Sequence, residues 1–397
     1  MLSRVGESFA AGARATAIER RRVSVGIVAG EPSGDLLGAG LMQALRAQVP
    51  DIRFRGVGGP LMLEQGLEPI APISTFAMNG FVDPFKRFPD LLRVIRALRG
   101  AFLMERPDVF VGVDFNVFNL LLERLLKRRG IATVHYVSPS VYAWRRGRVK
   151  RIGHAADLVM TLYPFEPPLY AQFGVRAEFV GHPLADVIDP SDATAQARAT
   201  LGIAANQLTI ALLPGSRMSE IRAHGELFLR TARCVNQTLR DARYLIPCID
   251  ANTATAVEEL TIAFPDIDAR VLRGDAHRAL AAADVALVKS GTGTLEAMLF
   301  GKPMVVTYRL GALSYRIVKA LLRTPFVALP NILAGRRLVP ELLQNDAQPE
   351  RLARALVTEL ERGRTGELLS DFRTLHMSLR RGANQRAAAA VLSMIDR

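Results

Sequence analysis

Short apolar runs recur through this chain, each ending in a glycine- or serine-rich turn and then giving way to apolar residues at helical spacing. Residues 22–30 (RVSVGIVAG), 107–115 (PDVFVGVDF), 130–137 (GIATVHYV), 208–213 (LTIALL) and 285–288 (VALV) carry few polar side chains. That is the pattern of strands buried on both faces of a parallel sheet. Residues 52–55, 156–162, 177–180, 243–246, 269–272 and 304–308 are shorter pieces of the same kind. Between them, 36–48 repeats leucine at 37, 41 and 45, the spacing of one helical face. Strand, turn and helix in alternation predict an α/β protein. The series breaks once, at Gly181-His182-Pro183-Leu184 and the polar stretch 186–198, and restarts at Leu208. The break predicts two domains, 22–184 and 200–349, with Arg-rich helices filling 350–397 and a leader, 1–21, expected to be disordered. His182, beside proline, reads as a hinge hydrogen-bonder.

The turns that end the strands hold the candidate chemistry. Ser290-Gly291-Thr292-Gly293-Thr294 separates the 285–288 strand from a helix over 295–300 that Gly301 and Pro303 stop. Such a turn aims backbone N–H groups and the positive end of a helix dipole at an anion. Glu296, in the first turn, can reach ribose hydroxyls or serve only as an acid well placed on the dipole. Leu213-Pro214-Gly215-Ser216-Arg217 repeats the arrangement and adds a guanidinium suited to gripping phosphate. Glu31-Pro32-Ser33-Gly34-Asp35 reads as a turn without the Gly-Lys-Ser/Thr of a Walker loop or the dinucleotide fingerprint. Asp114 ends the 107–115 strand, where a carboxylate projects toward a ligand crevice or caps the next helix. Leu329-Pro330-Asn331-Ile332-Leu333 reads as a turn.

The stretch 76–106 stands apart. Phe76, Met78, Phe81 and Phe85 look exposed, and a helix then lines up Phe88, Leu91, Leu92, Ile95, Leu98 and Phe102, with Arg99 intruding on the stripe. It reads either as a helix packed on the sheet or as a basic, apolar surface for a membrane or acyl chains.

Composition changes this picture in three ways. The net charge of +13 asks for an anionic partner, and with sparse aromatics and no zinc-finger, RRM or helix-turn-helix signature, nucleic acid ranks below anionic lipid and pyrophosphate substrates. No apolar run is long enough to span a bilayer, and the first two dozen residues lack the apolar core of a signal peptide. Cys234 and Cys248 are the only cysteines, which suggests a reducing cytoplasm and neither a disulfide framework nor a zinc site.

Five motifs, taken in order, narrow the reading further. Gly30-Glu31-Pro32-Ser33-Gly34-Asp35, the run from His135 through Trp144 (HYVSPSVYAW), Leu213-Pro214-Gly215-Ser216-Arg217, Ser290-Gly291-Thr292-Gly293-Thr294-Leu295-Glu296 and Leu329-Pro330-Asn331-Ile332-Leu333 resemble the lipid-A-disaccharide synthases. The resemblance covers nearly the whole chain after the leader. It implies a GT-B fold, two Rossmann-like domains facing each other across a cleft, and inverting transfer from UDP-2,3-diacylglucosamine to 2,3-diacylglucosamine 1-phosphate (lipid X), giving a β(1→6) disaccharide and UDP. It further implies Asp114 as general base, and Arg217, Ser216, Ser290, Gly291, Thr292, Gly293, Thr294 and Glu296 on the UDP diphosphate and ribose. Ser33, Gly34 and Asn331 would lie in the cleft, the 273–277 loop near uracil, and Phe76, Met78, Phe81, Phe85 and Phe88 toward acyl chains or the membrane. No metal or cofactor is expected, UDP-sugar being a substrate. The partners expected are the two lipid substrates and the anionic inner face of the inner membrane, with a homodimer left open and no nucleic acid. One departure stands out: the family's Asp-x-Pro-Asp-Phe-Asn is here Asp114-Phe115-Asn116-Val117-Phe118-Asn119, without the proline and second aspartate. Tyr142 also replaces the commoner Trp. The competing readings are a UDP-sugar 2-epimerase of the same layout, needing more acid/base groups, and a non-enzymatic basic lipid-binding protein.

Overall fold

The apolar runs become strands because each can bury both faces at once. The computed structural model describes residues 22–73, 88–139, 147–309, 311 and 324–395. They fall into two units, Met1–Pro183 with Gly382–Arg397, and Leu184–Arg381. The first holds β1 (Ser24–Ala29), β2 (Arg53–Val57), β3 (Leu67–Pro69), β4 (Val109–Val113), β5 (Ala132–Tyr136), β6 (Leu158–Thr161) and β7 (Ala177–Phe179) in the order β3-β2-β1-β4-β5-β6-β7. The second holds β8 (Thr209–Leu213), β9 (Arg243–Cys248), β10 (Asp268–Arg273), β11 (Val285–Lys289), β12 (Met304–Tyr308) and β13 (Glu341–Leu343) in the order β10-β9-β8-β11-β12-β13. Every pairing is parallel.

Alternation along β4 shows how the core divides. Val109, Val111 and Val113 face one cluster with Leu41, Leu45 and Val391, while Phe110 faces the other with Ile95, Leu98, Phe102 and Phe118. The helix Phe88–Glu105 is therefore packed on the sheet from Ile95 onward, and that part of its stripe is consumed by the core rather than offered to lipid. Phe76, Met78, Phe81 and Phe85 lie outside the described residues.

Several local expectations change. The helix after β1 starts at Pro32, not Leu36, because proline's fixed φ suits a first turn whose N–H has no intrahelical partner. Residues 329–333 form a short helix, Leu329–Ala334, for the same reason, ended by Gly335 at φ 65°. The polar stretch 186–198 is mostly helical: Asp189 caps Pro190–Leu201 by accepting from Ser191 N at 3.0 Å. β3 and β13 have only three residues each and no apolar run to announce them. The C-terminal helices are not one block. Pro349–Arg364 and Glu367–Leu379 belong to the second unit, but Ala383–Leu392 returns to the first. Its alanines 387 and 388 are small enough to pack closely beside Val391 against the Pro32–Gln48 helix.

Glu166 is an acid in this interior, 2% exposed, and it accepts from Tyr163 N at 3.2 Å. Burial pushes its carboxyl up to about 8. A raised carboxylate binds its proton more tightly folded than unfolded, so its contribution to stability is complete below the ordinary carboxylate range and is lost as pH rises through about 8. Glu166→Gln should therefore gain on the parent by a few kcal/mol as pH goes from about 5 to 9. Denaturant unfolding of both proteins across that range is the check, and a constant difference would contradict it.

Candidate active site

Each sheet reverses its strand order at one place, between β1 and β4 in the first unit and between β8 and β11 in the second. Loops leaving the two strands on either side of a reversal run to opposite faces, which opens a crevice at the carboxyl ends where ligands bind. Ala29 pairs with Val113, and Leu213 with Val288. Gly30–Asp35 thus leaves the first sheet beside Asp114, and Pro214–Arg217 leaves the second beside Ser290–Thr294.

In the first unit Asp114 is half-buried, and its N–H donates to Tyr136 O at 2.8 Å. Asp114 and Phe115 are consecutive left-handed residues, φ 49° and 46°. Such residues cost roughly 1–2 kcal/mol each for side chains other than glycine. Asn119, fully buried, holds the bend: its Nδ2 donates to Val28 O, Val113 O and Asp114 O at 3.2, 3.2 and 2.8 Å. Ser33 is exposed at the start of its helix. Gly34 is buried, where a Cβ would sit 3.2 Å from Ala29 Cβ and 3.3 Å from Val113 O, so it serves helix–sheet packing rather than substrate contact.

In the second unit Gly291 adopts φ 149°, open to glycine, and introduces the helix Thr292–Leu299 with Gly291 and Thr292 exposed. Arg217 is exposed at the end of its loop. Ser216 differs from expectation: the N–H groups of Ser216 and Arg217 donate to Glu220 Oε2 at 3.0 and 3.4 Å, so the helix's own carboxylate fills that position. Glu220 Oε1 in turn accepts from Lys289 Nζ at 2.8 Å. Ser290 Oγ donates to Val327 O at 3.1 Å. Thr294 is fully buried; its Oγ1 donates to Gly291 O at 2.8 Å and accepts from Leu329 N at 3.2 Å, so its side chain braces the turn. Glu296 is half-buried; burial pushes its carboxyl up while His277 pulls it back. Asn331 spends its side chain inside its own unit. It is fully buried, with Nδ2 donating to Val339 O and Glu341 Oε1 at 3.0 and 2.8 Å and Oδ1 accepting from Leu338 N and Val339 N at 2.7 and 2.9 Å.

The first unit carries a strained carboxylate at its reversal and the second a glycine turn opening a helix at its own, and relatives say which family such a chain belongs to. The family model described as lipid-A-disaccharide synthetase matches residues 25–394. The lipid-A-disaccharide synthase of Azotobacter vinelandii is 48% identical, covering 94% of this chain and 98% of its own. That of Methylobacillus flagellatus is 44% identical, covering 94% and 99%. The chain belongs to the lipid-A-disaccharide synthase family. It is a glycosyltransferase of the lipid A pathway with the GT-B fold of its structural neighbours. Acinetobacter baumannii MurG aligns with TM-score 0.56 at 15% identity over 94% of this chain and 100% of that one. The UDP-N-acetylglucosamine 2-epimerase of Rickettsia bellii aligns with TM-score 0.62 at 16% identity over 95% and 98%. Both likenesses concern the fold.

Three supports of these turns, one in the first unit and two in the second, escaped the sequence reading. Asp35, 4% exposed, accepts from Gly59 N, Leu61 N and Met62 N at 2.8, 3.0 and 3.0 Å, tying the Gly56–Gly59 turn to the Pro32 helix. Glu341 accepts from Val327 N, Ala328 N and Asn331, holding the segment that Ser290 and Thr294 touch. Glu220 and Lys289 set the Pro214–Arg217 loop. Only Asp35 gave a signal, as an acid inside a quoted motif; the others bond to partners that pattern cannot reveal. Among the described residues no helix is long and apolar enough to cross a membrane.

Asn331→Ala leaves two N–H groups and a carbonyl without partners, so it should lower thermal stability by about 2–4 kcal/mol. Restoring activity on cooling or with UDP would fit that role. A normally stable variant with only a raised KM would instead make Asn331 a substrate contact.

Proposed function

We propose that this enzyme transfers 2,3-diacylglucosamine from UDP to the 6-hydroxyl of lipid X, with Asp114 as the base and the turns after β8 and β11 as the diphosphate site. The observation that supports it is the half-buried Asp114, held in a left-handed bend at the carboxyl end of a central strand. The acceptor oxygen attacks C1 of the donor sugar and its proton passes to Asp114. The C1–O bond to the diphosphate breaks, inverting the anomeric centre, and UDP leaves. General-base help of this kind contributes about 10²–10⁴-fold. Charge gathering on the leaving diphosphate is met by Arg217 and by the first-turn N–H groups after Gly291, donors fixed before the reaction begins. Glu296 receives the ribose hydroxyls and the 273–277 loop the base. No metal enters this scheme.

The acyl chains of both substrates start in a bilayer, and the chain's +13 charge suits a protein that works at an anionic membrane face. This reading makes the enzyme peripheral to the inner face of the inner membrane.

Mass spectrometry of products from UDP-2,3-diacylglucosamine with and without lipid X tests the assignment. A disaccharide 1-phosphate formed only when both are present supports it; turnover of the UDP-sugar alone favours an epimerase. Asp114→Asn should fold and bind UDP normally while kcat falls by about 10²–10⁴-fold, and unchanged kcat would remove Asp114 as base. Arg217→Ala should weaken UDP binding by about tenfold or more, measured by calorimetry.

A further inference from the structure

Three side chains stand in line behind Asp114. Glu123 Oε1 lies 2.7 Å from His135 Nδ1, His135 Nε2 lies 3.0 Å from Asn116 Oδ1, and Asn116 Nδ2 donates to Asp114 Oδ1 at 3.2 Å. Glu123 and His135 are wholly buried, and Asn116 is half-buried. Glu123 reaches in from the helix Asn116–Lys127 that follows Asp114, and His135 from β5, where it pairs with Gly112 of β4.

The line is an expensive thing to keep in a core. A buried acid–imidazole pair is often no more stable than apolar side chains of the same volume. Burial raises the Glu123 carboxyl, and its Oε2 has no hydrogen-bond partner among the described residues. The strand beneath it makes room by carrying a glycine: a Cβ on Gly112 would sit 2.2 Å from Glu123 Oε1. Glycine inside a central strand weakens it, and close approach of another group is the usual reason for one. Two separate costs thus maintain one contact, and its hydrogen bonds lead to Asn116.

Proton counting shows what the contact does. Because the amide nitrogen of Asn116 faces Asp114, its oxygen faces His135, and Nε2 must carry a proton to donate to it. The short Glu123–His135 contact also holds one proton, on either atom. The pair is then neutral as a unit and presents N–H at Nε2 in both forms. With a bare Nε2 the amide would turn over and set its oxygen against the carboxylate.

We propose that Asn116 is a positioning residue for the transfer, held by the Glu123–His135 pair so that a donor is always turned toward Asp114. Asn119 fixes the backbone of the bend, and Asn116 fixes the side chain. This rests on the reading of Asp114 as base.

Steady-state kinetics, UDP affinity and thermal unfolding of full-length variants test it. Asn116→Ala should lower kcat about tenfold, the worth of a hydrogen bond to a charged group, with KM and UDP affinity little changed. Asn116→Asp still accepts from His135 and suits a helix N-terminus, so it should melt no lower than Asn116→Ala. It sets an oxygen against Asp114, however, and should turn over more slowly still. Removing the pair together, Glu123→Leu with His135→Leu, should cost kcat about as much as Asn116→Ala, and combining all three should cost little more. If the paired variant does not fold, the order of the two variants at 116 decides. Asn116→Asp as fast as or faster than Asn116→Ala, or wild-type kcat in both, overturns the proposal. Asp114→Asn run alongside separates the failures: full turnover there removes the base itself, whereas loss there with unaffected Asn116 variants removes only the positioning role.

Discussion

A parallel sheet wound outward in both directions from its middle must leave a gap where the winding reverses, and in this chain Asp114 and the turns after β8 and β11 follow the strands at those gaps. Parallel strands need crossover helices on one face or the other. At β1/β4 and β8/β11 the successive crossovers go to opposite faces, which opens a crevice at the strand ends. The residues that follow those four strands can meet a ligand without unpacking a core.

Each unit meets that opportunity differently. The second offers backbone N–H groups, a guanidinium and a glycine at φ 149°, all suited to an anion with several oxygens. The first offers a carboxylate on a bend that two left-handed residues make unfavourable and that Asn119 holds in place. Strain of this kind persists where surrounding bonds over-determine it, and here they fix the direction of one side chain. The polar groups behind both openings, Asp35, Glu341, Glu220 and the Glu123–His135 pair, are bonded to backbone or to one another. They shape the openings without entering them.

Strands were legible because burial on both faces leaves little room for polar residues, so 22–30, 107–115, 208–213 and 285–288 announced themselves. The turns were legible because glycine and proline mark where the backbone must bend. What could not be read was which motif residues point outward. Thr294 and Asn331 share motifs with exposed residues, yet their partners, Leu329, Leu338, Val339 and Glu341, lie 7 to 35 positions away and are joined only by folding. Ala383–Leu392 was grouped with its sequence neighbours because helical periodicity records a face but not the surface that receives it. Phe76, Met78, Phe81 and Phe85, expected to face acyl chains, fall outside the described residues, and the helix Phe88–Glu105 commits Ile95, Leu98 and Phe102 to the core.

The most direct test of the central claim, that the two reversals carry the two halves of the chemistry, is amide hydrogen exchange with each ligand in turn. UDP should slow exchange at 215–217 and 290–296, and lipid X at 31–35 and 114–116, with the ends of β10 and β7 unchanged. Protection concentrated at those outer strands, or UDP protecting 114–116 and not 290–296, would contradict the account.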